Sequence, residues 1–223
     1  MKLINGIVVT IIIGVIVPLS GVYLTYQLNT SRSERIEKDI CVRNIKMLIL
    51  EIKENLSNVN NATINPNDYR NLPIVPLPDE NIKAAIQSPL IYKHSTFEYM
   101  SLLRKYNELL SEFKRTIETL HETRVNSLFG KEKYFITTEP SMETMRKNLI
   151  YVSYMLACQS KLYVLNGIDW AVKHSNHNEI MEDLKVITYS DNTVDRDKLL
   201  KGIEKYRRRL NELEKKEKNN APL

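Results

Sequence analysis

The chain has 223 residues, a formal charge of +5, 43% hydrophobic residues and 26% charged residues of both signs. That mixture is unlike a dedicated nucleic-acid binder, which concentrates one sign of charge on one face. With six glycines and two cysteines, neither a glycine-rich phosphate loop nor a disulfide framework is expected.

The first element is the charge-free run from Leu3 to Ser31, with "GIVVTIIIGVIVPLSGVY" at its heart. About 20 apolar residues in helical form cross a hydrocarbon core of roughly 30 Å, whereas core helices and signal-peptide h-regions are usually shorter. A cleavable signal would end in a small-x-small site, but "LSG" is followed by the bulky "VYLTY". A retained transmembrane anchor over residues 1–30 is therefore expected. Its hydroxyls at Thr10, Ser20 and Thr25 can bond back to their own helix. Tyr23 and Tyr26 suit the headgroup level. Lys2 precedes the run, and Arg32, Arg35, Lys38, Arg43 and Lys46 follow it. Positive flanks stay in the cytoplasm, so the C-terminal domain is expected there. Gly6, Thr10 and Gly14 repeat every four residues, a small-residue face that lets membrane helices associate closely. Pro18 falls four residues after Gly14 and favours a kink.

Residues 31–218 are long enough for one helical domain with a real core. "SRSE" at Ser31 to Glu34 fits a capping box that would begin a new helix. An apolar stripe then alternates by four and three through Cys41, Ile45, Leu48, Ile52, Asn55 and Val59. Asn60 to Pro89 holds five of the eight prolines, so a long irregular connection is expected at about 60–89, with a short helix over Asp79 to Gln87.

A second stripe runs through Tyr99, Leu103, Tyr106, Leu110, Phe113, Ile117 and Leu120. "SLFGKEKYFITTEPS" then suggests a turn or brief strand near Tyr134 to Thr137. A third stripe uses Met142, Met145, Leu149, Val152, Leu156, Gln159 and Tyr163. It has a second edge at Met155, Cys158, Leu162 and Leu165, which places this helix centrally. A short helix over Asn178 to Thr188 and a break at "SDNT" precede a fourth stripe through Leu199, Ile203, Tyr206, Leu210 and Leu213. Each stripe must be buried. The fold expected is all-α: a transmembrane helix, then a four-helix-type bundle of heptad-patterned, coiled-coil-like helices, with a disordered tail at 219–223.

Chemistry-bearing motifs are sparse: CxxC, HExxH and GxSxG do not occur. Cys41 and Cys158 lie within stripes, where packing accounts for them. Glu118 and His121 have the i, i+3 spacing of di-iron bundles, which need a second such pair. His174, His177 and Glu179 in "HSNHNE" are a weak zinc candidate, and helix-end histidines also suit the macrodipole. No catalytic, cofactor-binding or metal site is expected. The polar residues Asn55, Gln159 and Asn166 occupy or flank seam positions, where a polar residue sets helix register or lines a ligand cavity. In "KYRRRLNELEKKEKNN" acids interleave with Arg207, Arg208 and Arg209, as on a solvated helix face; contact with anionic lipid is the alternative.

An N-terminal span, then "LILEIKENLSNV", then "LLRKYNELL" resembles uncharacterised bacterial single-pass, membrane-anchored helical proteins. The resemblance covers the anchor and the first two long helices. It implies a bacterial inner membrane and no activity. The function expected is a membrane-anchored interaction or scaffold protein that touches lipid and recruits a protein partner or forms a homo-oligomer, without nucleic acid. The alternative is a membrane-acting effector of a phage-defence or toxin system whose spans cluster on triggering.

Overall fold

The structure, a computed structural model, describes residues 17–61, 76–128, 139–188 and 196–220. Among the described residues every regular element is helical: α1 (Val17–Asn61), α2 (Glu80–Gln87), α3 (Pro89–His94), α4 (Phe97–Leu128), α5 (Glu139–Asn166), α6 (Ile168–His174), α7 (His177–Thr188) and α8 (Arg196–Asn220). The chain divides into two compact units, Met1–Ile40 and Cys41–Leu223. The second begins ten residues after the boundary expected from the apolar run.

In the first unit, the side chains from Ser20 to Ile36 are exposed. The hydroxyl of Thr25 donates to the Gly21 carbonyl at 2.8 Å and that of Thr30 to the Tyr26 carbonyl at 2.9 Å. These are the back-bonds expected of hydroxyls on an otherwise apolar helix. The new helix expected at Ser31 does not begin there, because α1 runs without interruption from Val17 to Asn61. A capping box acts on orphan N–H groups at a helix start; with the preceding turn already helical, those groups have carbonyl partners. Among the described residues no helix is long and apolar enough to cross a membrane. Residues 1–16, which carry about half of the charge-free run and the whole Gly6, Thr10, Gly14 face, lie outside the described residues.

The second unit is a helical bundle whose core is made by the four apolar stripes. On α1, Cys41, Ile45, Leu48, Ile52, Asn55 and Val59 are all buried. On α4, Tyr99, Leu103, Tyr106, Leu110 and Phe113 are buried, with Ile117 partly covered at the edge. Helix α5 is buried on more than one side, from Leu149 through Val152 and continuously from Met155 to Lys161. That agrees with its two apolar edges, although Leu162 and Leu165 are only half-buried. On α8, Leu199, Tyr206, Leu210 and Leu213 face inward.

Specific pairs give the helix directions. Tyr99 and Ser160 share a hydrogen bond of 2.8 Å while Thr116 reaches Met145, so α4 and α5 are antiparallel. Tyr151 lies against Gly202 and the Cys158 thiol donates to the Tyr206 carbonyl, so α5 and α8 are parallel. Arg146 reaches the Val59 carbonyl at 3.4 Å, tying α5 to the end of α1. Lys53 of α1 and Glu214 of α8 form an ion pair.

The short helices follow local rules. Ser88 is extended (φ −75°, ψ 114°) because Pro89 follows, which ends α2; the same Ser88 hydroxyl then caps α3, with Pro89 in its first turn. Gly167, with φ 83°, is the hinge between α5 and α6. The expected strand near Tyr134, the break at "SDNT", Pro66 and Pro73 lie outside the described residues.

Candidate functional site

Two polar nodes interrupt the apolar core. The first begins with Glu51 and Asn55, one turn apart on α1 and both buried. The Glu51 carboxylate accepts from the backbone N–H of Asn81 at 2.7 Å, from that of Ile82 at 2.9 Å and from the Asn81 amide at 3.1 Å. It therefore caps α2 from a neighbouring helix, whereas Asp79, at the N-cap position, makes no side-chain cap bond. A carboxylate at a helix N-terminus meets both orphan donors and the positive end of the macrodipole.

Asn55 uses its amide to donate to the Pro78 carbonyl at 2.8 Å and the Tyr106 hydroxyl at 2.9 Å. Asn58 donates to the Pro76 carbonyl at 2.8 Å. Proline offers a carbonyl and no N–H, so side-chain donors are what can fasten this proline-bearing segment. Asp79 pairs with Lys114 of α4 at 2.7 Å and with Lys83 at 2.9 Å. Burial pushes the Asp79 carboxyl up, but the two ammonium groups outweigh it and hold it below the usual carboxylate range. Burial drives the Tyr106 hydroxyl far up, so it stays protonated.

The second node joins α7 to α8 beside α5. Asp183 accepts from the Tyr206 hydroxyl at 2.5 Å and from Lys205 at 3.0 Å. Glu179 pairs with Lys205 at 2.7 Å and with Arg209 at 3.7 Å. Burial, then the Asp183 carboxylate, raises the Tyr206 hydroxyl; burial and Asp183 raise Tyr151 likewise. Burial acts to lower Lys205, and the carboxylates of Glu179 and Asp183 reverse it. Every charge in this node faces an opposite one, which suits it to docking a helix.

The cysteines and histidines fall as follows. Cys41 and Cys158 are fully buried, and desolvation pushes their thiols up to about 11 and about 12. Neither presents a thiolate near neutral pH, so packing is what they supply. In "HSNHNE", the Glu179 carboxylate is engaged by two cations, and His174 Nδ1 lies 2.9 Å from the Trp170 carbonyl with its ring stacked on the indole. Glu118 is exposed, and the side chains of His121 and His177 lie outside the described residues. Among the described residues no group of three His, Cys, Asp or Glu side chains is placed to hold a metal ion.

Of the polar residues singled out from the sequence, Asn55 belongs to the first node and Gln159 is buried in α5. Asn166 is exposed, because it closes α5 just before the Gly167 turn carries the chain off the bundle seam. Arg32 and Arg35 are exposed, and Lys38 pairs with Glu34 at 3.0 Å. Arg207 and Arg208 both approach Glu204, in line with an interleaved, solvated face. Glu51, Thr96, Asp183 and Gly202 were not legible as partners: each bonds or touches a residue far along the chain, with no local motif.

An open groove of about 570 Å3 runs along one face of α4, lined by Arg104, Asn107, Glu108, Ser111, Glu112 and Arg115. Two arginines and two glutamates balance there, so the groove favours no ligand charge. Compared with known protein families, curated proteins and solved structures, the chain matches none of them.

Proposed function

We propose that the protein is a single-pass membrane-anchored interaction module of a bacterial inner membrane. Its helical bundle lies on the cytoplasmic side and recruits a protein partner or assembles with further copies. The observation that carries this reading is the absence of any charge from Leu3 to Ser31, followed at once by Arg32, Arg35 and Lys38. Exposed Tyr23 and Tyr26, and threonine hydroxyls bonded back to their own helix, support it from the structure. A scaffolding rather than catalytic role is supported by the polar groups of the core: their bonds fasten helices to one another, and both thiols are held protonated.

Reporters fused after Leu223 test the topology. One that works only in the cytosol is expected to be active and one that works only outside it to be silent; the opposite pattern overturns the orientation. The Gly6, Thr10, Gly14 face favours a second reading, an effector whose spans cluster to damage the bilayer. Replacing Gly6 and Gly14 with isoleucine keeps the run apolar while blocking close pairing. Partner capture that persists supports the recruitment module. Toxicity of the wild type that vanishes in the double variant, with crosslinked oligomers lost, supports the effector.

A further inference from the structure

The four long helices bury apolar stripes against one another, but one piece of the Cys41–Leu223 unit is held in a different way. Pro76 to Asp79 has no regular secondary structure and leads directly into α2. Its backbone is gripped by side chains. Asn58 and Asn55, nearly one turn apart on α1, donate to the carbonyls of Pro76 and Pro78, both at 2.8 Å. In extended chain, residues two apart present the same side, and the side chain between them, Leu77, is buried. Asp79 then pairs with Lys114 of α4, and Glu51 caps α2. The apolar side chains that this segment and α2 bury are Leu77, Ile82 and Ala85, with Ile86 partly covered. Two carbonyls, one apolar anchor and one charge are features that another chain can also offer, and proline-bearing peptides dock on folded domains in this manner.

The grip is also incomplete. Asn55 is 1% exposed, and its amide nitrogen serves both the Pro78 carbonyl and the Tyr106 hydroxyl. Its Oδ1 is buried and has no hydrogen-bond partner. A buried acceptor left unpaired is costly, and a proline has no N–H with which to meet it.

We propose that the polar site between α1 and α4, at Asn55, Asn58 and Lys114, is a peptide-docking site that residues 76–79 occupy in cis and a partner's extended segment occupies in trans. The partner segment carries an apolar side chain at the Leu77 position, a residue with an N–H at the Pro78 position and an acid at the Asp79 position. Its N–H meets Asn55 Oδ1, the bond that the chain's own proline cannot give. The chain's own segment is therefore the poorer ligand, a strap that keeps the site closed until the partner arrives. The inference rests on the recruitment reading and names the partner's chemistry.

The full chain in detergent is mixed with a fluorescein-labelled synthetic peptide of residues 74–84 in its P78A form, and anisotropy reads binding. Saturable binding is expected, about threefold or more weaker when the peptide also carries D79K, because Lys114 then meets a like charge. The P78A and native-sequence peptides are next compared on the wild-type chain and on N55A. The ratio of their affinities is expected to fall by about threefold or more in N55A, a comparison in which the stiffness of proline cancels. Hydrogen exchange of the wild-type chain needs no variant. The Asn81 and Ile82 amides, which Glu51 caps, are expected to exchange about tenfold or more faster than the Leu103 amide, and faster again with excess P78A peptide. Equal exchange at Ile82 and Leu103 means that the strap opens only when the bundle unfolds, and overturns the proposal. So does the absence of saturable binding, or binding indifferent to D79K and to N55A. The reporters fused after Leu223 do not depend on this site, so such failures leave the anchored-module reading standing.

Discussion

The ring of Tyr151 lies so close to the bare backbone of Gly202 that a Cβ at that position would fall 2.5 Å from Cε2 and 2.8 Å from Cζ. Both residues are buried, Tyr151 on α5 and Gly202 on α8. The approach of these two parallel helices is thus set by the absence of one methyl group. Glycine in a helix interior costs roughly 1 kcal/mol relative to alanine, so the contact must return more than that. Gly202→Ala is expected to lower stability, because the overpacking cost of about 1–3 kcal/mol exceeds the propensity gain. Thermal melts of the chain in detergent check it. Pairing the change with Tyr151→Leu should recover most of the loss. An unchanged or raised melting temperature in the single variant would mean that the helices move apart freely.

Asn55 holds the returning segment to the bundle through Pro78 and Tyr106. Asn55→Leu leaves the Pro78 carbonyl and the Tyr106 hydroxyl without their donor, at a cost of about 1–3 kcal/mol. Tyr106→Phe removes only one acceptor and is expected to cost less. In a double-mutant cycle by chemical denaturation the two should couple, with an interaction term of about 0.5 kcal/mol or more. Additive effects would mean that the hydrogen bond contributes nothing to folding.

Acid should weaken the same region. The Asp79 carboxyl is held below its ordinary value by Lys114 and Lys83. A carboxylate depressed in the folded state stabilises fully above its unfolded pKa, and that contribution is lost as pH falls through the folded value. Wild type is therefore expected to melt above Asp79→Asn at pH 6, with the gap closing as pH drops below the ordinary Asp value near 3.8. A gap that stays constant across that range would show that the ion pairs add no net stability.

The thiols give a readout of the core itself. With Cys41 and Cys158 fully buried and their pKa values raised to about 11 and about 12, a thiol-specific chromogenic disulfide at pH 8 is expected to label neither in the folded chain. Both should react at once in guanidinium, because burial and the neutral thiol together block attack. Rapid labelling of either under native conditions would place that cysteine outside the core.

Periodicity was enough to find the bundle. The stripe from Cys41 to Val59 is buried at every position, as is the stripe from Tyr99 to Phe113, because an amphipathic helix carries its own statement of which side avoids water. The punctuation by Ser88, Pro89 and Gly167 was equally local, since each acts through its own φ and ψ. What the linear pattern misjudged was set by neighbours in space. "SRSE" has the composition of a helix start, yet it lies mid-helix in α1. Asn166 continues the period of its stripe, yet the turn at Gly167 leaves it in solvent. Glu51 caps a helix that begins 29 residues later, and its carboxylate reaches Ile82 at a separation of 31 residues. Gly202 answers to a ring on another helix. Burial is written in the local order of apolar and polar residues; which polar group meets which, and how near two backbones come, depends on helix directions that only packing establishes.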